Sequence, residues 1–206
     1  MIRMLMVEDI EMMKDALVRS LGVLPDIEIV ETLSSSARAA QLCKTLKPDL
    51  VLMDICTADN ASGIDAAEEI KAACPAVKVV LMTAFQDMTF DKRAKDAGTD
   101  SFIYKDIGTA ELVDVIRRTM AGERIFPARR TNRSFENCDV DLTEREIEVL
   151  RLLCKGKANL EIAEELFISE NTVATHINNL RIKTGISKKS KLVTFAIERG
   201  YIVPGI

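Results

Sequence analysis

The chain has no apolar run near the roughly 20 residues that a membrane-spanning helix needs. It also has no CxxC pair, and it has one histidine in 206 residues. The first absence leaves nothing in the sequence to cross or anchor in a bilayer, so no membrane partner is expected. The five cysteines, at 43, 56, 74, 138 and 154, are odd in number and lack histidine partners. They argue against a disulfide framework and against a Cys/His zinc site. Reduced thiols in a cytoplasmic protein are the expectation. A signal peptide is lacking too, because MIRMLMVEDIE carries acids by residue 8 and reads as a first strand. Internal repeats and low-complexity tracts are absent.

What is present is an ordinary soluble balance, 48% hydrophobic and 29% charged, long enough for one large domain or two small ones. The charge is uneven. Residues 1–121 carry 14 Lys and Arg against 20 Asp and Glu, whereas residues 142–206 carry 10 against 8. Within 181–199 the bases Arg181, Lys183, Lys188, Lys189, Lys191 and Arg199 face one acid, Glu198. An acidic front half and a basic cluster near the end suggest two modules with different partners.

Residues 1–121 alternate two patterns. Short apolar runs, IRMLMV (2–7), IEIVE (27–31), LVLMD (50–54), VKVVLM (77–82) and SFIY (101–104), read as buried strands. Between them apolar residues recur at helical spacing: Met12, Ala16, Val18 and Leu21; Ala39, Leu42 and Leu46; Ala66, Ala67 and Ile70; Leu112, Val115, Ile116 and Met120. The pattern predicts an α/β doubly wound fold, a five-stranded parallel sheet with helices on both faces. Residues 122–141 lose periodicity and read as a linker. From Leu142 the chain is helical, with Ile147, Leu150, Leu153 and Cys154 on one face. Leu160, Ala163 and Leu166 follow, then Val173, Ile177 and Leu180, then Leu192, Phe195 and Ala196. Gly156, Ser169 and Gly185 punctuate these helices.

In a doubly wound sheet, ligands sit beyond the carboxyl ends of the strands. Here strand one runs into Glu8 and Asp9, strand three into Asp54, strand four into Thr83 and Ala84, and strand five into Lys105. Carboxylates gathered on one rim repel unless a cation joins them, and an all-oxygen set suits Mg²⁺. Lys105 and the Thr83 hydroxyl add the charge and the donor that a transferring phosphoryl group requires. Asp54 then reads as a nucleophile. Singly, Glu8 and Asp9 also fit as helix N-terminal acids, and Lys105 as a solvated charge.

These residues, as VEDI, PDLVLMDI, LMTAF and SFIYKD, resemble the receiver domain of two-component response regulators. Lys105 followed by Asp106 resembles the NarL/FixJ subgroup. The resemblance implies phosphorylation of Asp54 by a sensor histidine kinase. It implies Mg²⁺ held by Asp9, Asp54 and the carbonyl of Cys56, with Glu8 acting through water, and a switch pair of Thr83 and Phe102. One departure stands out: CTADNASG follows Asp54 in place of the Met-Pro step of such receivers, and Gly63 comes one residue later than they have it. Without the proline a less rigid loop is expected.

The tail holds two helices joined by a tight turn, a helix-turn-helix layout whose second helix enters the DNA major groove. With Val173, Ile177 and Leu180 inward, Asn171, Thr175 and Asn178 face out, with Asn179 beside them. Asn reads adenine edges and Thr contacts thymine methyls or phosphates, while Lys183, Lys188 and Lys189 lie where a phosphate backbone would pass. A small helical domain that binds protein fits the polar face as well. LTEREIEVL, GKANLEIAEEL, ISENTVATHI and KTGISKKSKL together resemble a LuxR-type helix-turn-helix domain. That likeness implies a recognition helix over 169–183, phosphate contacts from Thr172, Lys188, Lys189 and Asn159, and a homodimer contact from a helix over about 187–199. Ala174 and Asn178 stand where such domains carry bases, so base contacts differ.

Three functions remain to be compared. The first is a response regulator whose phosphorylation controls dimerisation and DNA binding. The second is an aspartyl-phosphate phosphatase. It needs an acid two residues after the nucleophile, where this chain has Cys56, so an enzyme is not expected. The third is a regulator that ignores phosphate and works through protein contacts.

Overall fold

Five of the apolar runs become five strands, β1 (Ile2–Val7), β2 (Ile27–Leu33), β3 (Leu50–Asp54), β4 (Lys78–Thr83) and β5 (Ser101–Tyr104). The computed structural model describes residues 1–84, 90–127, 140, 142–199 and 201–202. The chain divides into two compact units, each treated by itself. In the first unit all five strands lie parallel, in the order β2-β1-β3-β4-β5. Residues 4–7 and 50–53 have no side-chain exposure to solvent. Strands covered on both faces have no polar alternation to show, which is why they read as unbroken apolar runs.

The connecting helices are α1 (Glu11–Leu21), α2 (Ala39–Leu46), α3 (Gly63–Ala73), α4 (Phe90–Asp96) and α5 (Thr109–Met120). Leu17 and Leu21 of α1 pack with Met4, Met6, Leu50 and Leu52 of the sheet and with Leu112, Val115 and Ile116 of α5. The inward face of α1 differs from the sequence expectation. Met12 is 80% exposed, and Ala16 and Val18 also face water, while Leu17 and Leu21 are buried. Leu21 of the expected set does face the sheet, but Leu17 joins it there in place of Met12, Ala16 and Val18. β2 also runs two residues further than expected, and β4 starts and ends one residue later.

Of the expected linker, residues 122–127 are described and lie against the free edge of β5. The Phe102 N–H donates to the Ile125 carbonyl at 2.8 Å, and the Ile125 N–H donates to Ser101 Oγ at 3.1 Å. Arg124 donates to the Thr99 carbonyl at 3.0 Å, and the cations of Lys95 and Arg124 sit 5.0 and 5.5 Å from the Phe126 ring centre. The rest of that linker, 128–139 and 141, falls outside the described residues, as does Cys138.

The second unit contains α6 (Glu144–Cys154), α7 (Asn159–Glu165), α8 (Glu170–Thr184) and α9 (Lys189–Glu198). A capping box starts α6: the Glu146 N–H donates to Thr143 Oγ1 and the Thr143 N–H donates to Glu146 Oε2. Ser169 caps α8, accepting the Thr172 N–H at 3.1 Å, and Gly185 ends it at φ 70°. Ile147, Leu150, Leu153, Ile162, Ala163, Val173, Ile177, Leu180, Leu192 and Ala196 share one core. Tyr201 closes that core, stacking on Phe195 and donating to the Val140 carbonyl at 2.6 Å. Leu160, expected inside, is 58% exposed, because Ile162 and Ala163 supply the inward side of α7. Among the described residues no helix is long and apolar enough to cross a membrane.

Candidate functional site

β1 and β3 are neighbours, with Val7 opposite Met53. The residues that leave their carboxyl ends therefore emerge side by side. This is also where the strand order reverses, the place a doubly wound sheet opens a crevice. Carboxylate oxygens of Glu8, Asp9 and Asp54 all lie within 4.8 Å of one another. Thr83 ends β4 opposite Tyr104 of β5. The Lys105 N–H donates to the Thr83 carbonyl at 2.8 Å, which fixes where its side chain starts. Lys105 Nζ then lies 2.6 Å from Asp54 Oδ2 and 2.7 Å from Glu8 Oε2. Three strand ends thus converge on one aspartate.

Glu8 is fully buried and Asp54 nearly so. Burial pushes the Asp54 carboxyl from its ordinary 3.8 up to about 6; Lys105 works against that rise and Glu8 adds to it. Lys105 shows the converse. Burial favours its neutral form, yet its bonds to Asp54 and Glu8 prevail and raise its pKa. Three carboxylates against one ammonium leave an excess of two negative charges, which a dication would balance. The donors are all hard oxygens, a set that fits a cation such as Mg²⁺.

The remaining expected residues surround this centre. The Cys56 N–H donates to Asp54 Oδ1 at 3.2 Å, placing Cys56 beside the acids. Thr83 is buried, and Ala84 follows it exposed at the rim. Phe102 is fully buried, edge-on to Tyr104 at 5.2 Å between ring centres. Gly63 sits where only glycine fits: a Cβ there would lie 2.1 Å from the Asp54 carbonyl oxygen. The loop returns this glycine to the backbone beside Asp54, where its N–H donates to the Ile55 carbonyl at 2.8 Å.

The second unit presents another surface. On α8, Asn171, Thr172, Thr175 and Asn178 are exposed and Asn179 is half-buried, opposite the buried Val173, Ile177 and Leu180. The Thr175 hydroxyl donates to the Asn171 carbonyl at 2.9 Å. Lys189 Nζ donates to Asn159 Oδ1 at 2.8 Å, joining the first turns of α7 and α9. Lys188 stands at the N-cap position of α9, without a side-chain cap bond, and is exposed. Lys183 is engaged differently, since its Nζ donates to Glu146 Oε2 at 2.8 Å. Burial would raise the Glu146 carboxyl, but Lys183 and Thr143 hold it below its ordinary value. Glu146 was not singled out from the sequence, although the Thr-x-x-Glu of LTERE signals it. Ser36 and Thr57, which contact each other beside the Asp54 loop, lie 21 residues apart and carry no local signal.

Receiver architecture, the rim and the helical unit together define a signalling switch coupled to a nucleic-acid reader. Residues 4–117 match the response regulator receiver domain, and residues 140–196 match the bacterial regulatory proteins of the luxR family. The chain belongs to the response regulators that join these two domains. Response regulator protein VraR of Staphylococcus epidermidis and VraR of Staphylococcus aureus are each 35% identical over 207 residues, spanning 98% of this chain and 99% of theirs. The crystal structure of the response regulator ChrA of a heme-sensing two-component system is 26% identical with a TM-score of 0.54, covering 98% of both chains. A response regulator RcsB–DNA complex, 19% identical over 94% of this chain and 96% of its own, shares the fold at a TM-score of 0.62.

Proposed function

We propose that Asp54 accepts a phosphoryl group from a partner histidine kinase, and that this controls dimerisation and binding of the α8 face to DNA. The observation that carries the reading is the single ammonium of Lys105 bridging Asp54 and Glu8 inside a three-carboxylate rim. Near neutral pH a carboxyl with a pKa of about 6 is mostly ionised, so Asp54 attacks phosphorus without first shedding a proton. The P–N bond of the donor histidine breaks as the P–O bond to Asp54 forms, and the imidazole leaves with the electron pair. Lys105 needs only to exchange a carboxylate for a phosphoryl oxygen. Asp9, Asp54 and the Cys56 carbonyl, with Glu8 acting through water, would hold Mg²⁺, which would supply charge neutralisation for the phosphoryl oxygens. Thr83 stands at the end of β4 to donate its hydroxyl to the new group, and Phe102 of the adjacent strand responds to that move.

On the DNA side, Asn178 and Thr175, with Asn179 beside them, face bases, while Thr172, Lys188 and the Lys189–Asn159 pair face phosphates. Lys183 serves the backbone only in part, since it also holds Glu146. A regulator of this kind works in the cytoplasm as a homodimer on two half-sites and is not itself an enzyme.

The test is incubation of the whole protein with Mg²⁺ and acetyl phosphate, followed by intact mass and DNA binding. A lasting adduct lost in Asp54→Ala, together with tighter binding to specific DNA, is the expected result. Rapid release of phosphate without an effect on DNA would point to a phosphatase, and no adduct at all would point to a switch that ignores phosphate. Either overturns the proposal.

A further inference from the structure

The loop between β3 and α3 lacks the proline that stiffens this turn in receivers it resembles, and it is one residue longer. No proline stands anywhere between Asp54 and Gly63, so no φ in this loop is fixed by a ring. The chain supplies another constraint. Thr57 Oγ1 lies 2.8 Å from the Ala61 carbonyl, to which only its own proton can be donated. The same oxygen lies 3.0 Å from Ser36 Oγ and accepts the Ser36 N–H at 3.0 Å. Ser36 and Thr57 are 2% and 6% exposed. A second link runs parallel, with the Ala58 N–H donating to the Ser34 carbonyl at 3.0 Å. Ser34 Oγ in turn accepts from Lys14 Nζ of α1 at 3.3 Å.

This arrangement ties the loop after β3 to the loop after β2, immediately beyond Cys56. Cys56 is held from both directions. Its N–H donates to Asp54 Oδ1, and it bridges Ser62 on the returning arm of the loop. Rotation at residue 57 would disturb the Cys56 backbone, which is hydrogen-bonded directly to Asp54. We propose that Thr57 and Ser36 form a hydroxyl clamp that positions this loop for cation binding and phosphoryl transfer at Asp54. They are positioning residues, since neither contacts the acids. The inference rests on the reading of Asp54 as the phosphoacceptor.

A buried hydroxyl with three partners, as Thr57 has, is costly to remove, because each partner loses its bond without gaining water. Thr57→Val keeps the shape and deletes the hydroxyl, and Thr57→Ser keeps the hydroxyl. With the full-length protein, Mg²⁺ affinity is measured by calorimetry, and Asp54 phosphorylation by acetyl phosphate is followed across Mg²⁺ concentrations. Thr57→Val is expected to bind Mg²⁺ about tenfold more weakly, as changes to groups that orient metal ligands do. Its phosphorylation is slowed at low Mg²⁺ and regained at saturation, and Thr57→Ser matches the wild type. A folded Thr57→Val with wild-type Mg²⁺ affinity overturns the clamp. If Thr57→Val unfolds the receiver, Ser36→Ala decides, because it leaves the Thr57–Ala61 bond in place. Weaker Mg²⁺ binding by a Ser36→Ala protein that still unfolds cooperatively supports the clamp, and unchanged binding overturns it. A wild type that neither binds Mg²⁺ nor becomes phosphorylated overturns the underlying reading, an outcome distinct from a variant that equals an active wild type.

Discussion

Asp54 must be an anion in surroundings that disfavour anions. Its carboxyl stays protonated up to about pH 6 in the folded receiver, against 3.8 for an ordinary aspartate. The folded state therefore binds the proton more tightly than the unfolded chain. The associated stability is fully present below pH 3.8 and is lost as pH rises through about 6. Asp54→Asn cannot ionise, so in EDTA at neutral pH it is expected to be more stable than the wild type by on the order of 1–3 kcal/mol. The two proteins should converge toward the acid end of that window. Urea denaturation over a pH series measures this, and equal stabilities at neutral pH would contradict it. Gly63 offers a second residue-scale expectation. Any Cβ there meets the Asp54 carbonyl at 2.1 Å, so Gly63→Ala should cost about 1–3 kcal/mol and weaken Mg²⁺ binding by moving the nucleophile's backbone. Thermal denaturation with and without Mg²⁺ tests both effects.

Elements divide into those the sequence announces and those it hides. α8 announces itself: Ser169 caps it, Val173, Ile177 and Leu180 set its face, and Gly185 ends it. Its outward side yields a prediction with two arms. Asn178→Ala should reduce specific DNA binding while sparing non-specific binding, and Lys188→Ala should weaken both alike and lower the salt dependence by about one phosphate contact. Titrations on specific and random duplexes at several salt concentrations decide it, and equal losses from both variants would refute the division. Thr143→Ala, which deletes one half of the capping box, should cost the helical unit about 1 kcal/mol in thermal denaturation. α4 is hidden, because FDKRAKD offers few apolar residues from which to read a period, and it emerges only as the crossover between β4 and β5. The inward face of α1 is only half hidden: Leu21 is expected inside, but apolar Met12, Ala16 and Val18 on the exposed sides obscure Leu17.

Across the whole molecule, the parts legible in the sequence are those set by local chemistry. Fully buried strands and the acids at their ends fall into that group, and so do Thr83 and Lys105. What escaped depends on segments meeting across the fold: Ser36 with Thr57, Lys183 with Glu146, and Ile125 with β5. The rim gathers three acids against the one ammonium of Lys105, so a bound dication should stabilise the receiver. Calorimetric unfolding in Mg²⁺ is expected to show the receiver transition raised, by about 2.7 kcal/mol in free energy at one hundred times the dissociation constant. Asp9→Ala should abolish the rise.

Ile125 has one further effect. By lying along the outermost strand of the sheet, it occupies hydrogen-bonding positions that a foreign chain would otherwise seek. At that margin the molecule has filled its own berth. Prising it loose would expose a sticky ribbon, and crowded copies would then begin to clump before any promoter was misread.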